Sequence, residues 1–293
     1  MQPRFDLSVI LAEAKDNRDT ELVIGAIERA CTGLSVEVLV VRPPGGPALP
    51  TSTVVAIREL RAAEDSLVPE RWGQGIRFAE APVFGCLTTE LTVTPEWARV
   101  LLQALSTGAV GAAGSIGLAP RPGLVAGAMY LVRFSAFLPG RAPKSRTMGD
   151  IPGDGAAYLR EPVLAYPDLL SEGFWEAEFH RRFQAESKQL ISVPETLVAF
   201  RSSLRLRSAI DLRRRHGQGY GATRVRRHGE SASRVLFAAP AVPVVMIFRM
   251  LRRATRSPGM MWLAIRSLPV LAMLCAAWAR GEATGAWAAR SQR

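Results

Sequence analysis

The chain predicts an α/β domain, with a mixed, mostly parallel sheet flanked by helices, followed by a C-terminal helical region. Two observations carry that prediction. Strand-like and helix-like segments alternate over residues 1–205, the pattern of a layered sheet. The charge then divides. Residues 1–200 hold 19 Lys and Arg against 23 Asp and Glu, a net of −4. Residues 201–293 hold 18 Arg, no Lys and three acids (Asp211, Glu230, Glu282), a net of +15. These are two different physical objects. With 48% apolar and 22% charged residues, the 293-residue chain can bury a sizeable core, so disorder is not its default state.

Leu7–Leu11 is a short apolar run without turn residues, as expected of a buried parallel strand. After the polar turn Glu13–Asp19, Thr20–Cys31 reads as a helix. Leu22, Val23, Ala26, Ile27 and Ala30 share a face, and Gly33 lies past its end. Val36–Val41 is the next strand and completes a βαβ unit, a connection that is nearly always right-handed. Pro43–Pro50 is a Pro/Gly loop, Val54–Ile57 a third strand, Gln74–Glu80 a short helix and Val83–Thr89 a fourth strand. Thr94 and Pro95 open a helix carrying Trp97, Val100, Leu101, Leu102 and Leu105, with Thr94 as its N-cap. Gly108–Gly117 and Gly123–Val132 supply more strand-like material. Residues 139–154 form a long aperiodic loop, a kind usually tied to function or motion. Ala156–Arg160 and Phe174–Ser187 read as helices, and Gln189–Val193 as a strand. Ligands of such sheets bind beyond the carboxyl ends of the strands. That rule points to Ala12–Lys15, Arg42–Gly46, Thr88–Glu90 and the loop before Gly173.

The organisation expected is a sheet domain over 1–205, a basic interfacial linker or helix over 206–232 and an apolar helical tail over 233–293. Val235–Phe248 is an uncharged run of 14 residues and Leu268–Ala279 one of 12, preceded by Met260–Ile265. A spanning helix needs about 20 apolar residues, and roughly 10–14 suggest a re-entrant or interfacial segment. Arginines border both runs, which suits the anionic cytoplasmic leaflet. The tail therefore reads as membrane-associated, as a short helical hairpin or as two interfacial helices, on the cytoplasmic face of the cell membrane. The alternative is a buried helical cap. Nucleic acid is not the expected partner, because the arginines flank apolar blocks rather than an aromatic-interleaved groove. Cys31, Cys86 and Cys275 lie far apart, as do His180, His216 and His228, so neither set has zinc-ligand spacing.

The segment Gly173–Phe183 sets Glu176 and Glu178 among Phe174, Trp175 and Phe179. Carboxylates beside apolar rings cost free energy unless paired, metal-bound or used in chemistry. A general base gains from partial desolvation, which lifts its pKa toward the working pH. The competing reading is an amphipathic helix with its acids in water. Residues two apart on a helix point away from each other. Both are therefore not expected in one site; Glu176, nearest the glycine-led entry, is the better candidate base, and Glu178 is expected to pair with Arg181 or Arg182. Trp175 either stacks on an acceptor or fills the core.

These pieces, in this order, resemble a family 2 glycosyltransferase of the GT-A fold, in a divergent membrane-associated form. L-S-V-I-L-A-E-A-K resembles the family's opening S-V-I-I-P-x-Y-N, and V-E-V-L-V-V resembles E-I-I-V-V-D. Trp72–Ala79 (W-G-Q-G-I-R-F-A) resembles R-N-x-G-I-x-x-A. Leu87–Trp97 resembles the D-x-D strand end and the P-x-W helix after it. Gly173–Phe183 resembles the E-D-x-E/D-L-x-x-R segment that holds the base, and Ala277–Gly285 the tail of membrane-associated members. The resemblance covers nearly the whole chain. It implies inverting transfer of a sugar from a nucleotide diphosphate sugar to an acceptor hydroxyl. The acceptor would be a lipid-linked or membrane-proximal glycan, in cell envelope polysaccharide biosynthesis. Glu176 matches the base.

Donor contacts would come from Glu13, Lys15, Arg42, Thr88 and Glu90, with Glu37 a further candidate that also reads as a strand-end charge. The D-x-D positions fall at Thr88 and Glu90, so one acid, Glu90, remains to hold a divalent cation, Mg²⁺ or Mn²⁺. Arg42 stands where the family usually has an Asp, and Lys15 where Asn is common. Either one would instead supply positive charge to the diphosphate, as would the basic loop Arg141–Arg146, which equally suits solvent. The same departures also fit a catalytically inactive scaffold or binding protein at the membrane.

Overall fold

The computed structural model describes residues 4–13, 19–140, 147–255 and 258–290, so Lys15 and the loop Arg141–Arg146 lie outside the described residues. The chain divides into two units, one formed by Met1–Ala119 and Phe137–Arg201, the other by Pro120–Ala136 and Ser202–Arg293.

The first unit holds β1 (Leu7–Ala12), α1 (Thr20–Ala30), β2 (Val36–Arg42), β3 (Ala56–Arg61), α2 (Val68–Phe78), β4 (Val83–Thr88), β5 (Leu91–Val93), α3 (Trp97–Leu105) and β6 (Gly111–Leu118). The chain then gives α4 (Leu124–Phe134) to the second unit. It returns with β7 (Thr147–Met148), β8 (Ala157–Leu159), α5 (Arg160–Leu164), α6 (Pro167–Leu170), α7 (Glu176–Ala185) and β9 (Leu190–Phe200). Among the described residues the sheet order is β3-β2-β1-β4-β8-β6-β9-β5, with β7 on β9. β1 to β4 are mutually parallel where they pair, and β8 runs antiparallel between β4 and β6. β1, β2 and β4 are buried at every position, which explains their largely apolar runs. Phe84, Tyr158, Phe174, Phe179 and Phe183 join one aromatic core beneath the sheet's centre.

Several expectations shift. Residues 123–132, expected as a strand, are the helix α4. Six consecutive residues of it, Ala126–Leu131, are buried, and a run apolar on all faces carries no period that separates helix from strand. Residues 156–160, expected as a helix, are β8 and the start of α5, because pairing with both neighbours overrides local propensity. Thr94 is not the cap of α3. Its N–H bonds Leu197 O in the sheet at 2.9 Å, and Glu96 takes the N-cap position. The helix expected at 74–80 begins earlier, at Val68. The third strand begins at Ala56 rather than Val54.

The second unit adds to α4 the helices α8 (Leu206–Arg226), α9 (Ala232–Ala238), α10 (Val242–Ala254), α11 (Pro258–Arg266) and α12 (Leu268–Arg290). α8 and α12 meet through two Gly-x-x-x-Gly pairs. A Cβ on Gly217 or Gly221 would strike the backbone of Trp278 or Glu282. One on Gly281 or Gly285 would strike that of Arg214 or Gln218. Only glycine allows two helix backbones so close. Arg213 lies over the Trp278 ring at 4.2 Å, and Arg224 joins Glu230 at 2.6 Å and the buried Glu282. The Nε2 edge of His216 is buried although the ring as a whole is half-exposed. Burial, then the charges of Arg213, Arg133 and Arg215, push its pKa down to about 3. By length and composition, Ala232–Ala254 is apolar enough to cross a membrane. Gly259–Arg266 with Leu268–Arg290 passes the same test as a pair bent by 70°.

Candidate active site

β1, β2 and β4 end side by side, with Ala12 paired to both Val41 and Thr88. The residues just past them therefore share one rim of the sheet. Glu13 follows β1, and its N–H bonds Val41 O at 3.1 Å. Arg42 closes β2 and is almost fully buried. Its guanidinium contacts Glu13 at 3.5 Å and Glu59 at 3.2 Å and donates to Pro47 O at 2.6 Å. The Pro43–Pro50 loop covers it so closely that a Cβ on Gly46 would lie 2.6 Å from its Nη1. Burial alone would lower the Arg42 pKa, but hydrogen bonds and charges from Glu59 and Glu13 raise it overall, and Arg42 lowers that of Glu59. The cation is thus neutralised by two acids. Arg71 of α2 donates to Glu13 O and fixes the same turn.

Glu37 is not on this rim. It pairs with Ser8 near the start of β1, and its buried carboxylate takes Ser8 Oγ at 2.6 Å, Glu80 N at 2.6 Å and Arg58 at 3.1 Å. It is a structural strand-end charge, which corrects its candidacy for the donor.

Thr88 ends β4, and Glu90 lies on the turn into β5. Both are buried. Thr88 Oγ1 has no hydrogen-bond partner among the described residues. Glu90 O accepts from Arg201 N at 2.8 Å, and Arg201 in turn pairs with Asp19 at the start of α1.

Glu176 is the first residue of α7 and is half-buried. Two features place it. Gly173, at φ +110, lies so close to α2 that a side chain would meet Glu70 Cα and Pro69 O at 2.8 Å, and Phe174 N bonds Pro69 O at 2.7 Å. Glycine is required there by both conformation and space. The other feature is the strip Gly153–Gly155. A Cβ on Gly153 would lie 2.9 Å from Glu176 Cδ, while Gly155 N bonds Cys86 O at 2.7 Å. Glu176 therefore reaches the C-terminal half of β4, the strand that ends at Thr88 and leads to Glu90.

The same strip brings in residues that sequence reasoning missed. Asp154, 9% exposed, sits between two glycines. Burial raises the Cys86 thiol pKa well above its ordinary value, and Asp154 and Glu176 add to the rise, so both acids lie near it. His180, one turn after Glu176, bonds Tyr158 Oη at 2.9 Å and Asp150 Oδ1 at 2.6 Å, which ties the chain on either side of the strip to α7. The available clue was P-G-D-G before A-A-Y, read only as the end of an aperiodic loop. Glu178 pairs with Arg181 at 3.5 Å, as expected, and Trp175 is half-buried, its Nε1 on Glu172 O at 3.1 Å. Among the described residues no group of three or more His, Cys, Asp or Glu could hold a metal ion. Glu90 with the Thr88 hydroxyl still suits a cation completed by phosphate oxygens, because Mg²⁺ often takes only one or two carboxylates.

No family model and no curated protein matches the chain. Solved structures do. Mannosyltransferase PcManGT from Pyrobaculum calidifontis, in complex with GDP-Man and Mn²⁺, is 12% identical, with a TM-score of 0.54 over 93% of this chain and 88% of that one. S. aureus TarS 1–349, in complex with UDP-GlcNAc, is 10% identical, with a TM-score of 0.51 over 98% of this chain and 92% of that one. At such identities the likeness speaks for architecture, and the chain has a GT-A-like fold.

Proposed function

We propose that the protein is an inverting glycosyltransferase of the family 2 type, moving a sugar from a nucleotide diphosphate sugar to an acceptor hydroxyl. What supports this reading is that Glu176 packs against Gly153, in the strip that bonds Cys86 of β4 two residues before the Thr88–Glu90 turn. Glu176 takes the acceptor's proton as its oxygen attacks the anomeric carbon in line. Gly173 and the Gly153–Gly155 strip hold that carboxylate in place, and His180 pins the chain before the strip through Asp150. Glu90 and Thr88 would hold a divalent cation, which when bound stabilises the departing diphosphate. Glu13 flanks the donor. Arg42 acts there by shaping the Pro43–Pro50 loop, since Glu13 and Glu59 already offset its charge. The arginine-rich, apolar second unit supports attachment to the cytoplasmic face of the membrane and a lipid-linked or membrane-proximal glycan acceptor.

The single acid at 88–90 favours a second reading, a catalytically silent scaffold of the same fold at the membrane. Thermal shift with UDP, GDP and CMP, each with and without Mg²⁺ or Mn²⁺, separates the two. Metal-dependent stabilisation by one diphosphate supports the transferase. A flat response to every nucleotide sinks it.

A further inference from the structure

Among the described residues, large exposed apolar side chains are distributed very unevenly. The sheet unit carries three (Leu22, Val54, Phe78) and the helical unit eleven. The most exposed is Phe237, at 87%, on the stretch Ala232–Ala254. On that stretch Phe237, Val244 and Phe248 follow one another at spacings of seven and four, which is a single stripe along a helix. Arg234 and Arg252 continue the stripe at its two ends, and both are exposed. Between Arg234 and Arg249 the uncharged run is 14 residues long. At 1.5 Å per residue that is about 21 Å, short of the roughly 30 Å hydrocarbon core.

Both ends of the stretch are seated in the helical unit itself. Ala232 and Val235 are buried with Ala222, Val225, Ala286 and Ala289. Met250 and Ala254 are buried, and Arg253 donates to Ser135 Oγ at 3.2 Å. A segment held at both ends by one helical body lies along that body. An uncharged run that short, seated against its own unit at both ends, favours lying in the membrane plane over spanning it.

We propose that Arg234–Arg252 is an in-plane docking face for an anionic lipid surface, with Phe237, Val244 and Phe248 in the acyl boundary and the arginines among the headgroups. This deepens the membrane attachment proposed above and makes it one-sided. The arginines choose the occupant, since a +15 region complements anionic headgroups.

The test is flotation of the full chain with vesicles of phosphatidylcholine, alone or mixed with phosphatidylglycerol. The wild type should bind the mixed vesicles, lose binding as salt rises and come off in an alkaline carbonate wash. Phe237→Ser with Phe248→Ser should weaken binding about tenfold per phenylalanine and leave the melting curve unchanged. Phe78→Ser, on the sheet unit, should bind like the wild type. Binding that survives the double substitution, or that resists carbonate, overturns the proposal, as does the absence of binding to either vesicle. So does a wild-type dimer that the double substitution dissociates, which would make a second copy the occupant. The assay needs no donor or acceptor, so failure of the glycosyl-transfer reading leaves its outcome intact.

Discussion

The two units bury polar groups by opposite means. In the sheet unit, buried charge gathers at the strand ends: Glu37 at one end, Arg42 and Glu90 at the other. The middles of β1, β2 and β4 are apolar, and large aromatics fill the space beneath the sheet. In the helical unit, buried charge lies in mid-helix, at Arg213 of α8 and Glu282 of α12. Glycines bring those helices close enough for backbone contact, and arginines lie on rings or beside acids. A sheet offers its edges for chemistry because the rows between are saturated. A glycine-packed helix pair has no such edge, so its polar groups serve cohesion.

That contrast can be broken first at the proposed active site. Glu176→Gln should reduce glycosyl transfer by about 10²-fold or more while leaving urea unfolding unchanged. A variant that keeps turnover, assayed with the nucleotide sugar found by thermal shift, removes Glu176 from the chemistry. In the helical unit, Gly281→Leu should cost about 1–3 kcal/mol through overpacking. An unchanged urea midpoint would mean that α8 and α12 are not in backbone contact. Acid sharpens the same comparison. His216 is held neutral in the fold, with a pKa of about 3 against 6.5 in the open chain. Between those values the unfolded chain takes up a proton that the folded one refuses, so stability is lost as pH falls below 6.5. His216→Gln should flatten that slope, and equal slopes in both proteins would clear this side chain.

Much of the sheet was legible because its strands are short apolar runs bounded by turn residues, as in Leu7–Ala12 and Val83–Thr88. The helix α4 was not, because Ala126–Leu131 is apolar on every side and periodicity has nothing to report. β8 was equally opaque, since its conformation comes from two neighbouring strands rather than its own residues. At the rim, Glu176 and Glu90 could be named from motif spacing. Asp154 and His180 could not, because a loop of glycines and a helix one turn on meet only in three dimensions. The state of Arg42 was hidden for the same reason: Glu13 follows β1 and Glu59 lies within β3, far apart in sequence.

The excursion of residues 120–136 into the helical unit bears on how the sheet unit could be isolated. A truncation near residue 201 would strand α4, leaving Met129, Tyr130 and Leu131 without the helices that cover them and inviting aggregation. Ile116 N donates to Phe137 O at 3.0 Å, so the two ends of the excursion nearly touch. A short polar bridge from Ala119 to Phe137, combined with a stop after Arg201, is the shorter route to a crystallisable GT-A-like core.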